Sequence, residues 1–333
     1  MGRMSLIVTL AFSLLIGCSK SNDTAAPAAT QAAATTTPLN IAVIPKGTTH
    51  AYWLSVQAGA NQAGKELGVN ILWKGPTRED DSQAQIEVVE QFISDGVNGI
   101  VLAPLDKQAL VRPVSEAGDH KIPVVIIDSP LNGTAGTDFA SLVATDNHRG
   151  GVMGGEELIK LLGGKGKVVL LRYHENSAST EAREAGFLEV MDKNPGITVL
   201  VKNRYGGATA ESAQTEAMNM LDLLKQADGI FCPNESVTVG MLGALRNADL
   251  IGKVKFVGFD ATPDLVKALQ NKEVDALVSQ DPVRMGYLGV KTMVAAIKGE
   301  KVDLNVDTGE HLITLDNLNS PEIQTLLAPP PNP

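Results

Sequence analysis

The sequence is poor in aromatic residues, cysteine and positive charge. Aromatic residues make up 4% of the 333 residues, so a cluster of aromatic residues is more informative here than in an average chain. The five histidines and two cysteines show no metal-ligand spacing, and we expect no metal and no cofactor. The formal net charge of −10 disfavours a nucleic-acid partner, because a phosphate backbone is bound by clustered lysine and arginine.

The chain also lacks the motifs of common nucleotide-binding and catalytic sites. The Gly- and Lys-rich stretch Gly163–Lys167 precedes a predicted strand and does not fit the phosphate-binding loop G-x-x-x-x-G-K-[ST]. No G-x-G-x-x-G follows the first predicted strand, so a dinucleotide site has no support. No pair of a nucleophile and a base stands out, and we expect a binding protein rather than an enzyme.

A targeting segment opens the chain. Arg3 precedes the apolar stretch Leu6–Ile16, which has the length of a signal-peptide core and is too short to span a bilayer. The overlapping Leu15–Cys18 resembles the bacterial lipoprotein box, in which the cysteine is lipidated and becomes the first residue of the mature protein. We therefore expect a signal peptide over residues 1–18, lipidation of Cys18, and a periplasmic or cell-surface protein held at the membrane by its lipid.

Two segments are expected to lie outside the folded core. Residues 19–38 consist mostly of Ala, Thr, Ser and Pro, a composition typical of a flexible tether because it cannot build an apolar core. The proline-rich residues 328–333 are expected to be disordered. With Cys18 lipidated, Cys232 would be the one cysteine left with a free thiol, which excludes an intramolecular disulfide.

From Asn40 onward, predicted strands and helices alternate, and the pattern occurs twice. Short apolar runs predict strands and helix-spaced apolar residues follow them, an order typical of a parallel sheet with helices on both faces. Landmarks recur at an offset of about 130 residues, so that Gly59 corresponds to Gly186 and Asp128 to Asp260. We therefore predict an α/β protein with two similar doubly wound parallel-sheet lobes and a ligand cleft between them.

The stretch Lys255–Asp264 indicates how a polar group reaches that cleft. Phe256, Val257 and Phe259 form a short apolar run, which predicts a strand buried on both faces. Asp260 follows directly, at the carboxyl end of the strand, where ligands bind in open α/β sheets. From its position alone, Asp260 is either the cap of a turn or a ligand acceptor.

Seven stretches, in order along the chain, carry a family resemblance. They are Thr49–Gly68, Asn98–Asp106, Ile122–Asp128, Ala144–Gly151, Ile230–Gly240, Val257–Asp264 and Val278–Gly286. Their order and spacing resemble the ribose-type periplasmic sugar-binding proteins, the substrate-binding components of bacterial ABC importers. The resemblance implies a three-strand hinge, with crossovers near residues 128–131, 280–282 and 303–308. It assigns residues 39–128 and 281–306 to one lobe, and residues 129–280 and 307–327 to the other.

The resemblance also implies which side chains line the cleft. They are His50, Tyr52, Trp53, Asp106, Asp128, Ser129, Arg183, Asn234, Asp260 and Gln280, with Glu181 and Tyr205 as secondary candidates. Tyr52 and Trp53 either stack on a sugar or extend the apolar face of a helix. Asp106 is a helix N-cap, a ligand acceptor or both. Glu181 belongs to a solvated helix face or, if it faces the cleft, indicates a positively charged ligand.

The predicted function is capture of a small polyol, with a monosaccharide as the first candidate. Closure of the two lobes would hold the ligand for delivery to an ABC-type permease in the inner membrane. A receptor that reports bound sugar to a sensor kinase or chemoreceptor is the alternative with the same fold and location. A repressor is disfavoured, because the first forty residues hold a signal and a tether instead of a helix-turn-helix. We expect a monomer.

Overall fold

The computed structural model describes residues 38–328, which form two α/β lobes. The expected signal peptide with Cys18, nearly all of the tether and nearly all of the tail lie outside these described residues. Within residues 38–328, no helix has both the length and the apolar character needed to cross a bilayer.

Strands and helices alternate through the described range, as the apolar periodicity predicts. The strands are β1 (Asn40–Ile44), β2 (Asn70–Trp73), β3 (Gly99–Leu102), β4 (Val124–Ile127), β5 (Ser141–Ala144), β6 (Gly166–Arg172), β7 (Ile197–Tyr205), β8 (Gly229–Phe231), β9 (Lys255–Phe259), β10 (Ala276–Gln280), β11 (Asn305–Asp307) and β12 (Glu310–Thr314). The helices are α1 (Ala51–Leu67), α2 (Ser82–Ser94), α3 (Val111–Asp119), α4 (Asn147–Leu162), α5 (Ala178–Asp192), α6 (Ala210–Asn219), α7 (Leu221–Leu224), α8 (Glu235–Asn247), α9 (Pro263–Gln270), α10 (Pro282–Ile297) and α11 (Pro321–Leu326).

Each lobe is built on one six-stranded sheet. The first sheet has the strand order β11-β5-β4-β3-β1-β2, and the second has the order β12-β10-β9-β8-β6-β7. Neighbouring strands are parallel except β10 and β12, which pair antiparallel. Apolar clusters cover both faces of each sheet, as parallel sheets require. The two strand orders correspond, and this confirms the predicted pair of similar lobes.

The repeat is visible at the carboxyl ends of β4 and β9, where Asp128 and Asp260 stand. Both residues adopt a left-handed backbone, with φ of 64° and 70°, a region that Asp enters more readily than most residues. Asp128 donates its N–H to the Val143 carbonyl at 3.1 Å, and Asp260 donates to that of Val278 at 2.7 Å. Each turn is thereby tied to the next strand of its sheet, and the two carboxylates occupy equivalent places in the two lobes.

The chain crosses between the lobes at three adjacent places. The connections run from β5 to α4, from β10 to α10, and from β11 to β12. Thr145 of the first connection donates to the Gln280 side chain, which stands at the second, at 3.1 Å. The Thr145 hydroxyl also lies 3.4 Å from that of Thr308 in the third connection. The hinge therefore consists of three segments linked by side-chain hydrogen bonds.

The first crossover lies later in the chain than expected. The expected boundary placed Ser129 at the start of the second lobe, but β5 pairs in parallel with β4 of the first sheet. Residues 129–144 therefore belong to the first lobe, and the boundary lies near residue 145. The sequence does not predict β5 because Ser-Leu-Val-Ala has two large apolar residues, whereas the equally long β4 is the continuous apolar run Val-Val-Ile-Ile. The first lobe also extends to Asp307, because all of β11 pairs with β5.

Direct backbone contacts between helices position α1 and α5 in their lobes. A Cβ added at Gly59 of α1 would lie 1.9 Å from the carbonyl oxygen of Val283 in α10. A Cβ added at the corresponding Gly186 of α5 would lie 2.1 Å from the carbonyl oxygen of His148 in α4. No side chain tolerates such distances, so glycine at these positions allows the helices to pack this closely.

Gly59→Ala is expected to lower the free energy of unfolding by about 1–3 kcal/mol, because the added methyl group forces two packed backbones apart. Gly118→Ala is the matched control. Gly118 lies in α3 with open space at its Cβ position, and alanine favours a helix over glycine by about 1 kcal/mol. Urea unfolding followed by circular dichroism measures both variants. Unchanged or increased stability of Gly59→Ala would contradict the close helix contact.

Candidate functional site

A polar cavity lies between the two lobes, beyond the carboxyl ends of several strands. The lining residues are Lys46, His50, Tyr52, Trp53, Glu79 and Asp128 from the first lobe, and Tyr173, Ser179, Thr180, Arg183, Asn234, Glu235, Asp260 and Gln280 from the second lobe and its boundary. Asp128 and Asp260 directly follow β4 and β9, and Gln280 ends β10. Ligands of open α/β sheets bind at this edge, so the fold itself favours a ligand site here.

Glu79 is the centre of one cluster in the cavity. Its carboxylate accepts hydrogen bonds from the Trp53 indole N–H at 2.5 Å and from the Tyr173 hydroxyl of the other lobe at 2.6 Å. It also lies 2.7 Å from Nδ1 of His50. Burial alone would raise the pKa of Glu79, but the hydrogen bond and charge of His50 lower it to about 2. Burial alone would lower the pKa of His50, but Glu79 raises it to about 9.

A second ion pair joins Lys46 to Asp128. The Lys46 Nζ lies 2.8 Å from Oδ2 of Asp128, and it donates to the Ser179 hydroxyl of the other lobe at 2.9 Å. The Tyr52 hydroxyl donates to Oδ1 of Asp128 at 3.0 Å. Lys46 and Asp128 are each 3% exposed, so water does not solvate either charge and each depends on the other.

Asp260 and Arg183 are two charged residues that the second lobe contributes to the cavity. The Gln280 amide donates to Oδ1 of Asp260 at 2.8 Å, and the backbone N–H of Glu235 donates to Oδ2 at 2.8 Å. Burial raises the pKa of Asp260, and the charge of Arg183 opposes that shift. The Arg183 guanidinium lies 3.9 Å from the centroid of the Phe259 ring. Its buried Nη2 has no hydrogen-bond partner among residues 38–328, so this nitrogen can donate to a ligand.

Glu235 reaches across the cleft to the start of α1. Its carboxylate accepts the backbone N–H of Ala51 at 3.3 Å and that of Tyr52 at 3.1 Å. The positive end of a helix favours a carboxylate there. Burial nevertheless raises the pKa of Glu235 to about 7, with His50 opposing the shift and Asp260 adding to it. Glu235 therefore links the two lobes through main-chain groups.

Eight of the ten residues expected in the cleft line this cavity. They are His50, Tyr52, Trp53, Asp128, Arg183, Asn234, Asp260 and Gln280. Ser129 is buried beside it, where its hydroxyl accepts the backbone N–H of Ser179 at 3.1 Å. Asp106 lies apart from the lining and accepts the backbone N–H groups of Gln108 at 2.7 Å and Ala109 at 2.9 Å. These bonds close a turn ahead of α3, whose N-cap is Leu110 without a side-chain hydrogen bond, so Asp106 caps this turn and not the helix.

The two secondary candidates, Glu181 and Tyr205, do not line the cavity. Glu181 pairs with Lys107 of the first lobe. The Tyr205 hydroxyl accepts a hydrogen bond from Nη1 of Arg172 at 2.8 Å. Arg183, two residues after Glu181, takes the cavity position instead. The position of Glu181 therefore gives no support to a positively charged ligand.

The sequence does not single out six of the lining residues, which are Lys46, Glu79, Tyr173, Ser179, Thr180 and Glu235. Lys46 and Tyr173 stand within two residues of the ends of β1 and β6, and strand ends alone are a usable signal for them. Glu79 gives no such signal, because it lies in the loop between β2 and α2 and reaches the cavity through tertiary folding.

Glu79→Gln is expected to lower the pKa of His50 clearly below about 9, because the closest paired charge is lost while burial remains, although Glu235 and Asp260 still raise it. NMR titration of the histidine ring signals measures this pKa. Glu181→Gln, the same substitution outside the cavity, is the control and should leave the titration of His50 unchanged. A His50 pKa that stays near 9 in Glu79→Gln would rule out the pairing.

Comparisons with known proteins agree with this geometry. The family model for the periplasmic binding protein domain matches residues 41–301, which include every lining residue. The D-allose-binding periplasmic protein of Escherichia coli K12 is 31% identical over 266 residues, 78% of this chain and 85% of that protein.

Two solved structures share the fold. A carbohydrate transporter solute binding protein from Agrobacterium radiobacter, in complex with D-arabinose, is 34% identical with a TM-score of 0.83, and the match covers 87% of this chain and 99% of that one. An ABC transporter solute binding protein from Agrobacterium vitis, with bound D-fucose, is 32% identical with a TM-score of 0.83, covering 86% and 99%.

Proposed function

Because this chain belongs to the periplasmic binding protein family, we propose that it captures a monosaccharide between its lobes and delivers it to an ABC-type permease. The observation that carries the proposal is the set of polar side chains that both lobes contribute to one cavity. Asp128, Asp260 and Gln280 are planar groups, and each can pair with two hydroxyls of a polyol. The relatives named for D-allose, D-arabinose and D-fucose support a ligand of this size and chemistry.

The cavity offers the contacts that a sugar needs. Nη2 of Arg183 is an unused donor, and the carboxylates of Asp128 and Asp260 accept hydrogen bonds. Tyr52 and Trp53 form an edge-to-face pair with ring centroids 4.9 Å apart, which gives the C–H face of a sugar an aromatic surface. A buried hydroxyl without a partner costs about 1–3 kcal/mol, so the site favours a polyol whose hydroxyls match these groups.

Closure of the lobes around the ligand is the proposed mechanism. Tyr173 bonds to Glu79 across the cleft, and Glu235 bonds to the start of α1. A ligand that contacts both lobes binds the closed form better than the open form and so shifts the population toward closure. The three adjacent connections serve as the hinge. The permease then recognises the closed surface.

The N-terminal residues support an anchored location for this activity. The family acts in the periplasm. The apolar stretch Leu6–Ile16 and the following Cys18 fit export and lipidation. A lipid on Cys18 and the tether of residues 19–38 would keep a monomeric protein close to its permease.

Isothermal calorimetry with a panel of pentoses, hexoses, cyclitols and amino sugars that includes D-allose, D-arabinose and D-fucose tests this function. We expect saturable binding of at least one sugar at a single site. Asp260→Ala should weaken that binding by about 2–4 kcal/mol, because a buried acceptor for hydroxyls is lost. Asp106→Ala is the matched control and should leave the affinity unchanged. Absence of binding across the panel, or wild-type affinity in Asp260→Ala, would refute the proposal.

A further inference from the structure

The charges that line the cavity do not balance. Four carboxylates face three cationic side chains there: Glu79, Asp128, Glu235 and Asp260 against Lys46, His50 and Arg183. Two of the acids have a cation within 3 Å, since Lys46 lies 2.8 Å from Asp128 and His50 lies 2.7 Å from Glu79. Arg183 is the cation that opposes the raised pKa of Asp260.

Glu235 and Asp260 are the two acids of the cavity without a close ion pair, and Arg183 is the one lining cation outside the two close pairs. Within residues 38–328 the Glu235 carboxylate forms no ion pair shorter than 4 Å, and it accepts hydrogen bonds from the backbone N–H groups of Ala51 and Tyr52. His50 is close enough to act on it, but the hydrogen bond and close ion pair of His50 belong to Glu79. Glu235 is partly exposed, and the burial it has raises its pKa to about 7, with the charge of His50 opposing that shift.

Glu235 and Asp260 occupy one corner of the cavity. The backbone N–H of Glu235 donates to Oδ2 of Asp260 at 2.8 Å, so the two residues are in direct contact. A carboxylate has about four lone-pair positions, and the two backbone hydrogen bonds leave Glu235 room for further donors. The free Nη2 of Arg183 lines the same cavity and is available as a donor to a hydroxyl oxygen of a ligand.

We propose that the ligand is a polyol bearing one basic amine, an amino sugar or an aminocyclitol, whose ammonium group binds the Glu235 carboxylate beside Asp260. This inference rests on the proposed function and specifies the class of polyol. The ammonium supplies the missing positive charge and up to three charge-assisted hydrogen bonds, while the remaining hydroxyls use Asp128, Gln280 and Arg183. The rival arrangement is a protonated Glu235 that donates to a hydroxyl of a neutral sugar.

Calorimetry with matched pairs separates the two arrangements. The pairs are D-glucosamine and D-glucose, D-galactosamine and D-galactose, D-allosamine and D-allose, and scyllo-inosamine and scyllo-inositol. At neutral pH we expect at least one amine to bind about 10- to 100-fold more tightly than its hydroxyl parent, the range of a hydrogen bond to a charged group. The N-acetyl derivative of that amine, which has lost the charge, should lose the advantage in the wild-type protein.

Glu235→Gln tests the assigned residue. This variant should bind the amine and its parent with similar affinity, because the carboxylate charge is lost while the shape is kept. Glu181→Gln, at a carboxylate outside the cavity, should keep the full preference. Circular dichroism checks that both variants are folded. The comparison of the amine with its N-acetyl derivative uses the wild-type protein and so does not depend on the folding of a variant.

The outcomes distinguish this inference from the proposed function. Neutral sugars that bind as tightly as their amines, or more tightly, overturn the inference and leave the proposed function standing. A preference that survives Glu235→Gln or N-acetylation overturns the role of the Glu235 charge. If neither neutral nor amino polyols bind, the proposed function fails together with the inference.

Discussion

A charge buried between the two lobes must have a partner, and this requirement connects the fold to its function. Lys46 and Asp128 are each 3% exposed, and Glu79 keeps His50 charged. Removing one partner of such a pair leaves a buried charge uncompensated, at a cost of about 3–5 kcal/mol. Several partners of these groups come from the opposite lobe, as Tyr173 does for Glu79. The cavity is therefore formed by both lobes together and not by either lobe alone.

Helix packing explains why the polar groups meet where they do. The helix α1 carries Tyr52 and Trp53, and α5 carries Arg183. Gly59 and Gly186 let these helices touch a neighbouring helix backbone to backbone, and both residues occupy the same place in the internal repeat. A shift of either helix would move the side chains at its first turns. Stability and the placement of the cavity side chains thus depend on the same two contacts.

The sheets and part of the site were predictable from the sequence, because buried parallel strands are continuous apolar runs that end at polar residues. Asp128 and Asp260 follow from that rule and from the repeat. The strand β5 does not, since Ser-Leu-Val-Ala has two large apolar residues where the equally long β4, Val-Val-Ile-Ile, has four. Asp106 shows another limit, because an Asp that caps a local turn and one that accepts from a ligand can both follow a strand end. Glu79 lies in a loop whose path depends on tertiary contacts.

Small-angle X-ray scattering measures most directly whether the two lobes close around a ligand that both of them hold. The radius of gyration is determined for the protein alone and with a saturating concentration of the sugar that calorimetry identifies. We predict a smaller radius with the sugar, because the ligand shifts the population toward the closed form. A radius that stays the same or increases at saturation is incompatible with closure around the ligand.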